Sequence, residues 1–289
     1  MNTLSPNTIS NPILDFFAFV RRPDAAHIVA ARKAKLRIIL SLLGLSILLA
    51  FAGNLVSASI ETFIPMETEH LMEGNNEELL RFMAIAGIPI IPFFEEVMFR
   101  LWLAPNLLFF FISFSLVTIQ FAPMPFLDLL RAAGLEVLAP AVKIGFYLAF
   151  GGLIVLWFWW CDRRGQRYAD FFHRYVAVYY YVSVIVFGLL HLTNYTAVEV
   201  WWYAPLLVLP QLIGGFIYGY VRIRLGFWYA VLLHIADNLR FTLGDVMNML
   251  FGLLGGVVWL AVLVLSSLAI VVVTFKQSLV LGEKTSLQA

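Results

Sequence analysis

Apolar residues run through this chain in long blocks with short polar breaks between them. The blocks cover about 37–56, 81–104, 106–122, 141–161, 176–195, 201–221, 227–243 and 247–275. Runs of this length that do not alternate with polar residues read as helices able to cross a bilayer rather than as barrel strands. The pattern predicts an all-α polytopic membrane protein, a bundle of about eight transmembrane helices. Pro105 and Pro140 mark breaks between blocks. Pro89 and Pro92 fall inside the second block and predict a kink there.

No internal repeat divides the sequence, so it reads as one helical domain over 35–276 between two cytoplasmic tails, 1–34 and 277–289. The first tail lacks the basic, apolar and small-residue order of a cleaved signal peptide. Its short apolar patch, 13–20, is a candidate for the membrane surface.

Composition supports the membrane assignment. Of 289 residues, 62% are hydrophobic and only 13% charged, against about 25% charged in a soluble globular chain. The mean hydropathy is +0.88. These values exclude an ordinary water-soluble enzyme, a disordered regulator and a secreted disulfide scaffold. A net charge of +1 gives no reason to expect nucleic acid as a partner. The single Cys161 can form neither an intrachain disulfide nor a multi-thiolate zinc site.

Charge also sorts by loop. Most of the 19 basic residues fall before the first block, between the fourth and fifth, after the sixth and after the eighth. With eight spans these loops share one side, and Glu61, Glu67, Glu69, Glu73, Glu77 and Glu78 lie on the other. The positive-inside rule then puts both termini in the cytoplasm, in a multi-pass protein of the cell's inner (plasma) membrane. The lipid bilayer is one expected partner.

Within the apolar blocks ionisable residues are rare and costly, about 2.5–3.5 kcal/mol each near a helix centre, which makes them functional candidates. They are Glu95, Glu96 and Arg100 in the second block, His191 in the fifth, and His234, Asp237 and Arg240 in the seventh. Asn194 and Asn238 accompany the histidines, and Gln120, Lys143 and Gln211 stand isolated. On a helix Glu96 and Arg100 are i,i+4 neighbours in the favourable order, and Glu95 projects about 100° away. His234 and Asn238 are likewise i,i+4.

Three chemistries fit this set. Glu95 and one histidine can activate water while the other histidine and Asn238 donate to an oxyanion. Two histidines and a glutamate can ligate zinc, although no HExxH spacing is present and Asn is a poor zinc ligand. Glu, His and Asp can also relay protons through a transporter, although such proteins often carry inverted repeats. No cofactor is expected, zinc being the weaker alternative.

Three motifs, Glu95-Glu96-xxx-Arg100, Phe187-xxx-His191 and His234-xxx-Asn238, occur in order on these blocks. In that order they resemble the CPBP family of intramembrane proteases, which includes the type II CAAX prenyl endopeptidases and bacteriocin-processing and immunity-associated proteins. The likeness spans about 80–245. Gly215-xxx-Gly219 followed by Arg224-Leu225-Gly226 is similar to the family's glycine-rich stretch, and its plain reading is a small-residue helix contact. The resemblance implies a metal-independent glutamate endopeptidase acting on a peptide or membrane-protein substrate. It makes Glu95 the catalytic glutamate, His191 its helper, His234 and Asn238 the oxyanion hole, and Glu96 with Arg100 the support. A non-catalytic scaffold or immunity protein is the alternative, and a proton-coupled carrier ranks behind both. One difficulty stands: on straight helices Glu95 and His191 lie about 15–25 Å apart in depth. The proline kink and shifted boundaries are expected to close that gap.

Overall fold

The computed structural model describes residues 3–4, 11–63, 68–70, 87–121, 124–162, 165–198 and 201–286. The side chains of the acidic stretch 61–78, of Lys143 and of Cys161 lie outside the described set. In chain order the elements are β1 (Thr3–Leu4), α1 (Pro12–Arg21), β2 (His27–Ile28), α2 (Arg32–Phe63), β3 (Thr68–His70) and α3 (Ile90–Phe99). There follow α4 (Leu107–Phe121), α5 (Met124–Ala132), α6 (Ala139–Asp162), α7 (Gly165–Leu190), β4 (Tyr195–Val198), α8 (Leu209–Arg224) and α9 (Phe227–Ser286). Among the described residues the fold is all-α apart from two short strand pairs, β1 with β2 in parallel and β3 with β4 antiparallel.

The expected count of about eight transmembrane helices is corrected to three. Among the described residues, only Arg32–Ile60, Tyr168–Asn194 and Phe227–Ser278 are long and apolar enough to cross a membrane. Several blocks shrink because proline or glycine interrupts them. Among its described residues the second yields the ten-residue α3 after a turn at Ile88 and Pro89, and the sixth yields α8, whose 16 residues begin beside Pro210. The third gives the 15-residue α4. The seventh and eighth merge into α9, which is broken at Gly252. Hydropathy cannot separate a helix buried in lipid from one buried in protein. The even count that aligned the basic loops therefore no longer carries the orientation. Apolar helices with outward leucines, such as Leu148 and Leu265, still mark the protein as membrane-associated.

Pro89 and Pro92 introduce no kink within α3. Pro89 is the N-cap of α3 and Pro92 sits in its first turn, where the missing N–H is not needed.

The core gathers around α8, which is buried along most of its length. Two glycines on one face of α8 bring it close to α7. A Cβ at Gly219 would lie 2.9 Å from the Tyr180 ring, and one at Gly215 would lie 3.3 Å from Val184. Gly188 of α7 returns the contact, since a Cβ there would lie 2.3 Å from Leu212. This is the small-residue packing that lets helix backbones approach.

α9 reverses direction at Gly252, whose φ of 62° and ψ of −160° suit glycine alone. Trp259 on the second limb accordingly donates to the Arg240 carbonyl on the first at 3.0 Å. α2 packs along both limbs: Ser46 donates to Asp237 at 3.0 Å, and Ser41 bonds Thr274 at 2.9 Å.

The segment read as an N-terminal tail contains α1, started by Asn11, whose side-chain oxygen accepts from the Ile13 N–H. Ile13, Phe16 and Phe19 on α1 enter the main core. His27 bonds the Ile223 carbonyl at the end of α8.

Candidate active site

The EExxxR motif occupies the second half of α3, and its two acids have different surroundings. Glu96 is fully buried and lies 3.2 Å from the Arg100 guanidinium, itself fully buried. The guanidinium carbon stands 3.6 Å from the centre of the Phe187 ring, a cation–π contact that accounts for the aromatic residue in the second motif. Glu95 points instead between two imidazoles. Its Oε1 is 3.5 Å from His191 Nε2, and its Oε2 is 3.3 Å from His234 Nε2.

Each ring is oriented from its far side. His191 Nδ1 lies 2.7 Å from the Phe187 carbonyl, which can only accept, so the proton of the neutral ring sits on Nδ1. Its Nε2 lone pair then faces Glu95. His234 Nδ1 is held by Glu96 Oε1 at 2.9 Å, which aims Nε2 at Glu95. Glu96 therefore orients His234 while it neutralises Arg100. Asn238 donates one N–H to the Gly87 carbonyl at 3.2 Å, which leaves the second N–H of its amide for another acceptor.

The depth gap between Glu95 and His191 does not exist in the folded chain. α3 is only ten residues long, about 15 Å, so Glu95 is not carried to the end of a full span. α7 ends at Leu190, and the 3₁₀ turn His191–Asn194 sets His191 against the side of α3.

The C-terminus of α3 is fixed by hydrogen bonds to its last carbonyls. Ser113 donates to Val97 at 2.6 Å and Ser183 to Phe99 at 2.5 Å. Arg222 of α8 donates to Arg100 and Leu101, both at 3.0 Å. With the motif helix anchored in this way, the carboxylates keep their positions.

Glu95, His191, His234 and Asn238 line one cavity of about 490 Å³. Glu96 and Arg100 lie behind its wall. The same cavity holds Gln211, Asp237 and Arg240, further polar residues of the apolar blocks, together with Tyr218. Gln120 and Asn194 line a different cavity.

Tyr218 was not singled out by any motif. Its ring stacks on His234, centroids 4.3 Å apart at 21°, and its hydroxyl donates to Asp237. Asp237 is also ion-paired with Arg240 at 2.8 Å. The available signal was helical spacing, since Gln211, Gly214 and Tyr218 fall at i, i+3 and i+7 on one face of α8. Among the described residues, no three His, Cys, Asp or Glu side chains are grouped to hold a metal ion.

Fold and site together define a membrane-associated helical protein with a half-enclosed carboxylate–imidazole centre. The model of the family described as Type II CAAX prenyl endopeptidase Rce1-like matches residues 77–240, more than half of the chain. The protein belongs to that peptidase family, and the matched region contains all three motifs. No curated protein and no solved structure gave a match.

Proposed function

We propose that this protein is a membrane endopeptidase that hydrolyses a peptide bond of a membrane-bound peptide or protein with water activated by Glu95 and His191. The observation that carries this reading is the seat of Glu95, with both carboxylate oxygens within 3.5 Å of imidazole nitrogens at the wall of a cavity. Glu95 accepts the proton of a water molecule as that water attacks the peptide carbonyl. The proton later passes to the leaving amine, so one carboxylate serves as base and then as acid. His191 holds the water through its Nε2 lone pair. His234, carrying a second proton on Nε2 besides the Nδ1 proton given to Glu96, donates to the oxyanion together with the second N–H of Asn238. Glu96 and Arg100 hold this arrangement in shape, and Tyr218 keeps the His234 ring in plane. No step in this scheme needs a metal ion.

The site sits among apolar helices, where water is scarce and polar contacts are strong, and where a lipid-embedded substrate can reach it. The basic cluster Arg32, Lys33, Lys35 and Arg37 at the start of α2 supports a cytoplasmic position for that end at the inner membrane.

Comparison of peptide termini in membranes carrying wild-type or Glu95→Gln protein tests the reading. Termini present only with the wild type are the expected result, and identical termini would overturn it in favour of a non-catalytic scaffold.

A further inference from the structure

Glu95 and His191 line two cavities. One is the cavity of about 490 Å³ shared with His234 and Asn238. The other, of about 430 Å³, lies between α3, α4 and the turn after α7, and is lined by Met98, Leu116, Gln120, Thr193 and Asn194 among others. Glu95 and His191 are the two residues common to both linings. Their facing atoms, Oε1 and Nε2, stand 3.5 Å apart and form the partition.

The two cavities differ in what they can bind. The oxyanion donors His234 and Asn238 occur in the first alone. A peptide carbonyl seated against them fills the approach to Glu95 from that side, so water must arrive by another route. At the partition a carboxylate oxygen faces His191 Nε2, and with the neutral ring's proton on Nδ1 the two facing atoms are both acceptors. A water at this edge donates one hydrogen to each and keeps a lone pair for attack. On the far side, Gln120, Thr193 and Asn194 add side-chain donors and acceptors to an otherwise apolar lining. Two of these, Gln120 and Asn194, are polar residues of the apolar blocks that the substrate cavity does not use.

We infer that the second cavity is a water chamber that feeds the Glu95–His191 edge from the side opposite the substrate. Water enters past Gln120, Thr193 and Asn194 and settles at the partition. Its oxygen then forms the new bond to the carbonyl carbon, one proton passes to Glu95, and the carbonyl π pair becomes the oxyanion. The proton on Glu95 moves to the amine nitrogen as the carbon–nitrogen bond breaks. The kinetic consequence rests on the peptidase reading; hydration of the chamber does not.

The test uses Met98→Cys and Leu116→Cys in full-length protein in lipid nanodiscs, with the sole native cysteine replaced as Cys161→Ser. Each is treated with a small charged methanethiosulfonate or with an apolar maleimide, and each unlabelled variant is its own reference. The expected result is rapid labelling by the charged reagent and a fall in kcat of about tenfold or more, with KM unchanged. Labelling by the apolar reagent alone means a lipid-filled cavity and overturns the proposal. Full kcat after labelling overturns it as well, and a rise in KM alone identifies a substrate subsite instead. If wild-type protein and Glu95→Gln behave alike, the peptidase reading fails, and the labelling result still decides whether the chamber holds water.

Discussion

Around Arg224, two carboxylates meet one guanidinium at the junction of the N-terminal segment and α8. Asp24 takes two of its hydrogen bonds, at 2.5 and 2.9 Å, and the Ala26 carbonyl takes another at 2.8 Å. Asp15 lies 3.7 Å from the same side chain and accepts the Tyr220 hydroxyl at 2.6 Å. Around Arg100 the composition is similar and the arrangement is not. Glu96 takes the arginine and one histidine, whereas Glu95 is turned to two ring nitrogens on the boundary of two cavities. In the first cluster each carboxylate is used up in joining one part of the chain to another. In the second, one acid does that work and leaves its neighbour to the two imidazoles. The proposed function rests on the acid that structural pairing does not require.

Arg100→Leu gives the largest expected effect on this contrast. It leaves Glu96 buried without its cation, at a cost of about 3–5 kcal/mol, visible as a lowered Tm in detergent. A Tm equal to the wild type would mean that Glu96 needs no such support. His191→Ala is expected to slow hydrolysis roughly 100-fold with little change in Tm. The reverse result, full rate with lost stability, would move His191 into the structural group. Gly188→Val is expected to cost about 1–3 kcal/mol, because the added carbons meet Leu212. A wild-type Tm there would show that α7 and α8 can separate without harm.

Asp24→Asn should have the smallest effect at neutral pH, under about 1 kcal/mol, since the side chain is half exposed. Burial pushes the Asp24 carboxyl up, but hydrogen bonds from Arg224 and the Ala26 N–H outweigh it and hold the group below its ordinary value. Its contribution is therefore complete above the ordinary aspartate range and is lost as pH falls through the lowered value. Acid titration of Tm should show a steeper loss in wild type than in Asp24→Asn, and parallel curves would remove Arg224 as a pH-dependent clamp.

Much of the site was legible in the sequence, because an ionisable residue in an apolar block stands out against its surroundings. Glu95, His191 and His234 were visible on that ground. Tyr218 was not, since an aromatic residue in an apolar helix looks like core until its stacking on His234 is seen. Arg222 read as a loop cation, and its bonds to the end of α3 depend on which helix α8 packs against. α1 looked like a tail because its apolar patch is short, and its partners are residues far along the chain. The span count failed for a related reason. Apolar blocks report burial of any kind, and α8 is buried within the protein as a short helix, while α3 begins only after Pro89 and is ten residues long.

The central claim is that Glu95 is a working base rather than a second structural acid. It is tested most directly by kinetics of peptide cleavage in nanodiscs for wild type, Glu95→Gln and Glu95→Asp, with Tm measured on each. The account predicts that Glu95→Gln loses activity by about 10²-fold or more at an unchanged Tm, with part of it restored in Glu95→Asp. Glu95→Gln protein that cleaves at the wild-type rate would contradict it.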